Sequence, residues 1–138
     1  MRGFLIAGVL LLTAACNPKS VPPESGGDNP PSSTVSSEES DRKAIEKLEA
    51  EARALARTDG CSSAADCRAV PIGVRGCGGP RDFIVYCAKT TDSLALHAKI
   101  AAADSAEAAF NRKYNVISTC ELRMAPAVAV SGGSCAAQ

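Results

Sequence analysis

Cysteine is the residue type with most chemistry to offer in this chain. There are seven: Cys16, Cys61, Cys67, Cys77, Cys87, Cys120 and Cys135. Thiols can ligate metals, exchange with disulfides or bridge two parts of a chain. Zinc ligation usually draws on CxxC-like pairs or paired histidines. The nearest pair here, Cys61 and Cys67, is spaced C-x5-C, and His97 is the one histidine. The lack of CxxC argues equally against a thiol oxidoreductase. Bridging remains. Setting Cys16 aside leaves an even number of cysteines, which in an exported chain reads as a disulfide framework.

Other reactive groups point away from catalysis. A Ser–His–Asp or Cys–His site needs an orienting group and an oxyanion hole, and no GxSxG elbow occurs. Helical spacing places Ser93, Ala101 and Asp104 near His97, an ordinary polar face. Asp59 and Asp66 flank the Cys61–Cys67 loop without the dense Asp/Asn/Gly run of a calcium loop. Glycan hydrolysis needs two carboxylates facing one cleft. Asp59, Asp66, Asp82 and Glu121 are the candidates, with few aromatics to form a sugar platform. The expectation is no catalytic residue, no metal ligand and no cofactor. Net charge is zero, so no strong field recruits nucleic acid.

The most distinctive segment is Gly76-Cys77-Gly78-Gly79-Pro80. Its glycines permit positive φ around one cysteine, and Arg75 and Arg81 flank it. One reading is a pinned finger in which Arg75, Arg81, Gly78 and Gly79 meet a partner, helped by the low entropy cost of a constrained loop. The plainer reading is a turn whose glycines allow close packing.

The N-terminus says where the protein works. Arg2, an apolar run from Phe4 to Leu12, and Thr13-Ala14-Ala15 have the layout of a secretory signal peptide. The run is too short for a membrane span, which needs about 20 residues. Cys16 directly after the small residues resembles the lipobox of bacterial lipoproteins, with Thr13 where Leu is commonest. The resemblance implies a lipidated Cys16 that becomes the N-terminus and anchors the chain, several acyl chains together giving stable attachment. Asn17, rather than Asp, after the cysteine implies transport to the outer membrane, facing the periplasm.

The chain then divides into three parts: a signal peptide over 1–15, a lipidated cysteine and Pro/Ser/Gly tether over 16–36, and one disulfide-stapled domain over 37–138. Five of the eight prolines fall in the tether, whose composition cannot recover its ordering entropy through burial. It should span about 25 Å on average. The domain has no Trp and much alanine, so its core is thin. Disulfides would supply a sizeable share of its net stability.

Within the domain, Ser36 and Glu39 have capping-box spacing, and Ile45, Leu48, Ala52 and Leu55 form one helical stripe. Glu38–Arg42, Glu39–Lys43, Lys47–Glu51 and Glu49–Arg53 are spaced for ion pairs along its wet faces, and Gly60 is placed to cap it. A second helix is expected over 92–114, capped by Asp92 or Thr91, with Leu96, Ile100, Ala103, Phe110 and Tyr114 inward, Glu107 interrupting the stripe and Asn115 as the stop. Strands are expected at 68–72 and 83–87, joined by the glycine loop, and at 116–122 and 127–130. The order α-β-β-α-β-β predicts an α+β domain: two helices and a small antiparallel sheet stapled by disulfides.

Six cysteines allow fifteen pairings. A hairpin centred near Cys77 and Gly78 sets Cys67 almost opposite Cys87. A turn near 125–128 sets Cys120 opposite Cys135, leaving Cys61 for Cys77. The expected wiring is therefore Cys61–Cys77, Cys67–Cys87 and Cys120–Cys135, with a diagonal swap as its rival because directly opposed cysteines are strained at some register positions.

Cys61-Ser62-Ser63-Ala64-Ala65-Asp66-Cys67, then Val70, Gly73 and Cys77-Gly78-Gly79-Pro80, then an aromatic strand, a helix, Ser118-x-Cys120 and Cys135, together resemble a group of small uncharacterised proteobacterial lipoproteins. The group implies location and fold. The functional expectation is a lipid-anchored, non-catalytic periplasmic binding module with a protein partner, an inhibitor or immunity factor being one version. The alternatives are a structural envelope lipoprotein and, further off, a peptidoglycan-active enzyme.

Overall fold

The computed structural model describes residues 32–138. The leader, Cys16 and most of the tether lie outside the described residues, and so does any test of lipidation. Helix α1 spans Ser32–Leu55, β1 Cys67–Val74, β2 Pro80–Cys87, α2 Ser93–Lys113, β3 Val128–Ser131 and β4 Ser134–Ala137, with one 3-10 turn at Ala64–Asp66. The domain is α+β, as its residue patterns predict. The one expected sheet is instead two antiparallel ladders, β1–β2 and β3–β4. Among the described residues no helix is long and apolar enough to cross a membrane.

Helix α1 begins four residues before the Ser36 cap that the sequence suggests, directly after Pro31. The stripe holds: Ile45 and Ala52 are buried, and Leu48 and Leu55 are half-buried. Helix α2 starts where Asp92 accepts a hydrogen bond from the Ala95 N–H at 3.0 Å. It ends at Asn115, whose φ of 51° is left-handed. Asparagine tolerates that region better than most residues. Leu96, Ile100, Ala103 and Phe110 face inward. The main core joins Ala52 from α1, Val70 and Ile72 from β1, Ile84 and Tyr86 from β2, and Leu96 and Ile100 from α2. Burying Ile72 and Leu96 completely contributes about 2–3 kcal/mol each.

The ion pairs show how tertiary packing overrides local spacing. Arg42–Glu38 and Lys43–Glu39 form within α1. Further along the helix, Glu49 pairs with Arg81, Glu51 with Lys99 and Arg53 with Asp82. The expected pairs Lys47–Glu51 and Glu49–Arg53 give way because α2 and β2 approach that half of the helix and offer partners from outside it.

A two-stranded ladder leaves edge N–H groups to satisfy. Helix α2 does this for β1. Asp104 accepts the Gly73 N–H at 2.7 Å, Glu107 accepts the Val74 N–H at 2.8 Å, and the Asn111 amide donates to the Val74 carbonyl at 2.6 Å. Residues 104, 107 and 111 lie on one helical face, which stands in for a third strand. Glu107, an interruption when read as part of the stripe, anchors the strand end.

The cysteines are wired differently from the expectation. Cys67 does lie opposite Cys87 in the ladder, yet the disulfides are Cys61–Cys87 and Cys67–Cys135. Cys77 is not bridged to Cys61, and Cys120 is not bridged to Cys135: Cys77 and Cys120 are free and exposed. The reason is a strap over residues 57–61. Its Arg57 carbonyl accepts the Cys87 N–H at 2.7 Å, its Thr58 carbonyl accepts the Cys135 N–H at 2.8 Å, and its Gly60 N–H donates to the Gly133 carbonyl at 3.1 Å. The strap lays Cys61 beside the end of β2 and draws β4 against the first hairpin. Cα separations of 5.7 and 5.6 Å then suit a bridge. Gly60, expected to cap α1, is a strap residue with φ of 86°. Thr91 is buried beneath the strap, and its hydroxyl accepts from the Arg57 N–H and donates to the Arg57 carbonyl.

The strand expected at 116–122 is absent. Residues 116–127 carry no regular secondary structure, and the last hairpin turns at Gly132 and Gly133 instead. This difference removes the geometry that would have set Cys120 opposite Cys135.

Candidate functional site

The hairpin loop between β1 and β2 and the irregular segment 116–127 form one surface. The loop is closed by its own backbone: the Arg75 N–H donates to the Gly79 carbonyl at 3.1 Å and the Gly78 N–H to the Arg75 carbonyl at 2.9 Å. Gly78 and Gly79 adopt φ of 95° and 78° with open space around them. Those values favour glycine, and the pair forms the exposed tip.

Three contacts fasten 116–127 to this loop. Gly76 packs against the Val116 backbone so closely that a Cβ there would overlap the Val116 carbonyl oxygen. The Cys77 N–H donates to the Ser118 hydroxyl at 3.2 Å. The Arg75 guanidinium donates to the Thr119 and Glu121 carbonyls and to the Thr119 hydroxyl. Arginine's planar fork suits such multiple donation.

Both arginines of the expected finger are engaged within the domain. Arg75 is spent on the 116–127 backbone. Arg81 is held between Glu49 and Glu107, at 2.9 Å from the latter. Both glutamates are largely buried at the side chain, so the Arg81 charge is consumed in joining α1, β2 and α2. Of the four residues expected to meet a partner, Gly78 and Gly79 are exposed and the two arginines already carry contacts inside the domain.

The segment also presents large apolar side chains. Five large hydrophobic side chains are exposed among the described residues, and three of them, Ile117, Leu122 and Met124, lie within this one segment at 95%, 85% and 74% exposure. A shallow depression of about 260 Å³ lies between the loop and the segment, lined by Cys77, Gly78, Gly79, Pro80, Cys120 and Leu122 among others. No family model matches this chain, and no curated protein or solved structure matches it. The residues themselves carry the reading.

Among the described residues two thiols are free, Cys77 and Cys120, and both line this depression. The Cys77 sulfur lies 3.4 Å from the Thr119 carbonyl and 3.5 Å from the Ser118 hydroxyl, and the Cys120 sulfur lies 3.9 Å from the Ser118 carbonyl. Hydrogen bonding from the Cys120 thiol, then from Ser118, with the Arg75 charge adding to it, holds the Cys77 thiol below its ordinary value. The same contact with Cys77, together with burial, pushes Cys120 up. Sequence spacing offers no hint of this pair.

The remaining chemical candidates sit apart from the depression. His97 is exposed on α2. Asp59 pairs with Arg57, Asp66 with Lys89 and Asp82 with Arg53. The sulfurs of Cys61, Cys67 and Cys135 lie within 4.8 Å of one another. They belong to disulfides, and a disulfide sulfur has no thiolate to offer a metal.

Proposed function

We propose that this chain is a lipid-anchored protein of the outer membrane, facing the periplasm, whose domain is a non-catalytic binding module for a protein partner. The loop at 75–79 and the segment 116–127 form the binding face. The observation that carries this reading is the grouping of Ile117, Leu122 and Met124 on one exposed, irregular segment beside a rigid glycine tip. Large apolar side chains grouped on a surface mark interaction sites far more often than scattered ones do. An irregular segment tied to a scaffold is a common place for binding residues. Burying three such side chains in a partner's cleft offers about 1.5–3 kcal/mol each before the costs of association.

The test is site-specific photo-crosslinking with the full chain in a Gram-negative envelope. A photoreactive residue in place of Leu122 is expected to capture one discrete protein, and the same probe in place of His97, on the exposed face of α2, is expected to capture none. Equal capture at both positions, or lipid alone at Leu122, would leave a structural envelope lipoprotein as the better description. Anchoring has its own test. Cys16→Ser should release the chain from membranes or leave it unprocessed, and normal processing with unchanged fractionation overturns the anchor.

A further inference from the structure

We propose that Cys77 and Cys120 form a third, solvent-accessible disulfide that closes and opens by thiol–disulfide exchange, locking segment 116–127 to the hairpin loop. The proposal holds whether or not this face binds a protein. Its first support is placement. The two residues are far apart in sequence, yet both thiols lie against the Ser118–Thr119 backbone and both residues line the same depression. Its second support is that the fold holds both partners in place without the bond. Gly76 seats the loop on Val116, and Arg75 binds the carbonyls on either side of Cys120. Intramolecular closure is then strongly favoured over capture of a second small thiol.

The third support is contrast. Cys61, Cys67, Cys87 and Cys135 are all buried, so an external thiolate cannot reach those bridges in the folded domain. Cys77 and Cys120 are exposed, and access is a condition of exchange. The oxidant required is a low-molecular-weight or protein disulfide, for which oxidised glutathione is the probe. The Cys77 thiolate attacks one glutathione sulfur and expels a glutathione thiolate, leaving a mixed disulfide on Cys77. The Cys120 thiolate then attacks the Cys77 sulfur and expels the second glutathione thiolate. Two electrons pass from the protein pair to the oxidant, and the two thiol protons end on the two released glutathiones. Reduction runs the same steps backwards. Cys77 is the first to react because the Ser118 hydroxyl donates to its sulfur at 3.5 Å, a contact that favours the thiolate.

The experiment equilibrates the full-length chain in reduced and oxidised glutathione mixtures, quenches with acid, alkylates, and maps the peptides by mass spectrometry. Peptide mapping reads Cys16 separately. In an oxidising mixture a Cys77–Cys120 linked peptide is expected, and a reducing mixture should open it while Cys61–Cys87 and Cys67–Cys135 stay closed. Cys120→Ser should trap glutathione on Cys77, several-fold faster than Cys77→Ser traps it on Cys120. Two separate glutathione adducts on the unaltered chain, no reaction at either thiol, or a Cys61–Cys77 bridge would each overturn the disulfide. Equal trapping rates in the two variants would overturn Cys77 as the attacking sulfur.

Discussion

Two sets of cysteines in one small domain have opposite fates. Four are buried where the strap at 57–61 gathers the ends of β1, β2 and β4, and they form two interlocked bridges. The other two face solvent on a loop and an irregular segment, and they carry free thiols. Their even count made all six look like members of one framework. The difference teaches that backbone hydrogen bonding sorts them. Where the strap satisfies N–H groups on two ladders at once, sulfurs are brought within bridging distance and sealed from water. Where two surface segments are joined through an arginine and a glycine, the sulfurs stay in reach of solvent. The first set can serve stability, and the second is open to exchange.

The largest expected effect tests the buried set. Replacing Cys67 and Cys135 together by alanine removes the bridge that closes the longer loop, and a loss of about 3–5 kcal/mol is expected in urea unfolding. Replacing Cys77 and Cys120 together by alanine, measured with a reductant that spares the buried bridges, should cost less than about 1 kcal/mol. Similar costs for the two double variants would erase the distinction.

Gly76→Ala comes next. The added Cβ meets backbone rather than a flexible side chain, so the loop and the segment must separate. A loss of about 1–2 kcal/mol is expected, with faster protease cleavage inside 116–127 and unchanged amide-exchange protection in α2. Unchanged cleavage would mean that the segment is held by something other than this contact. Arg75→Ala should act in the same direction at about 1 kcal/mol or less, since its bonds are exposed. Arg75→Lys should recover little of it, because a single ammonium cannot span both carbonyls.

The smallest effect concerns pH. Burial raises the Asp104 carboxyl above its ordinary value, opposed by its bond to the Gly73 N–H. A raised folded value means that the folded state holds the proton longer than the unfolded one. Stability from this group is therefore fullest at acid pH and declines as pH rises through the carboxylate range. Asp41, held down by Lys113 and Tyr114, and Glu51, held down by Lys99, have the opposite sign. Asp104→Asn keeps an acceptor for Gly73 and removes the titration. Melting temperatures compared from about pH 3 to about pH 7 should show the variant gaining on the original chain as pH rises. A gap that does not change with pH would show Asp104 to be an acceptor only.

Local signals made the helices and the first hairpin legible. Apolar residues at three- and four-residue steps placed Ile45 and Ala52 on α1 and Leu96, Ile100 and Phe110 on α2. Asp92 marked the cap and Asn115 the stop. Strand runs either side of Gly76–Pro80 set Cys67 opposite Cys87, and the ladder has that register. Each of these depends on residues a few positions apart, so the chain carries the information locally.

Tertiary structure decided the rest. Val116–Leu122 has strand-like composition, but it finds no partner strand and is captured by Arg75 and Gly76 as an irregular segment. Cysteine pairing depends on the strap, whose carbonyls choose partners from β2 and β4, well separated along the chain. Arg75 and Arg81 read as exposed charges until the backbone of 116–127 and the carboxylates of Glu49 and Glu107 take them up. Sequence by itself determined which segments are regular and which side of each is apolar, because dihedral preference and side-chain period act over a turn or a strand pair. Only the folded domain determined which sulfurs meet, which charges are spent and which apolar side chains are left outside, because those outcomes depend on backbone groups competing across distant parts of the chain.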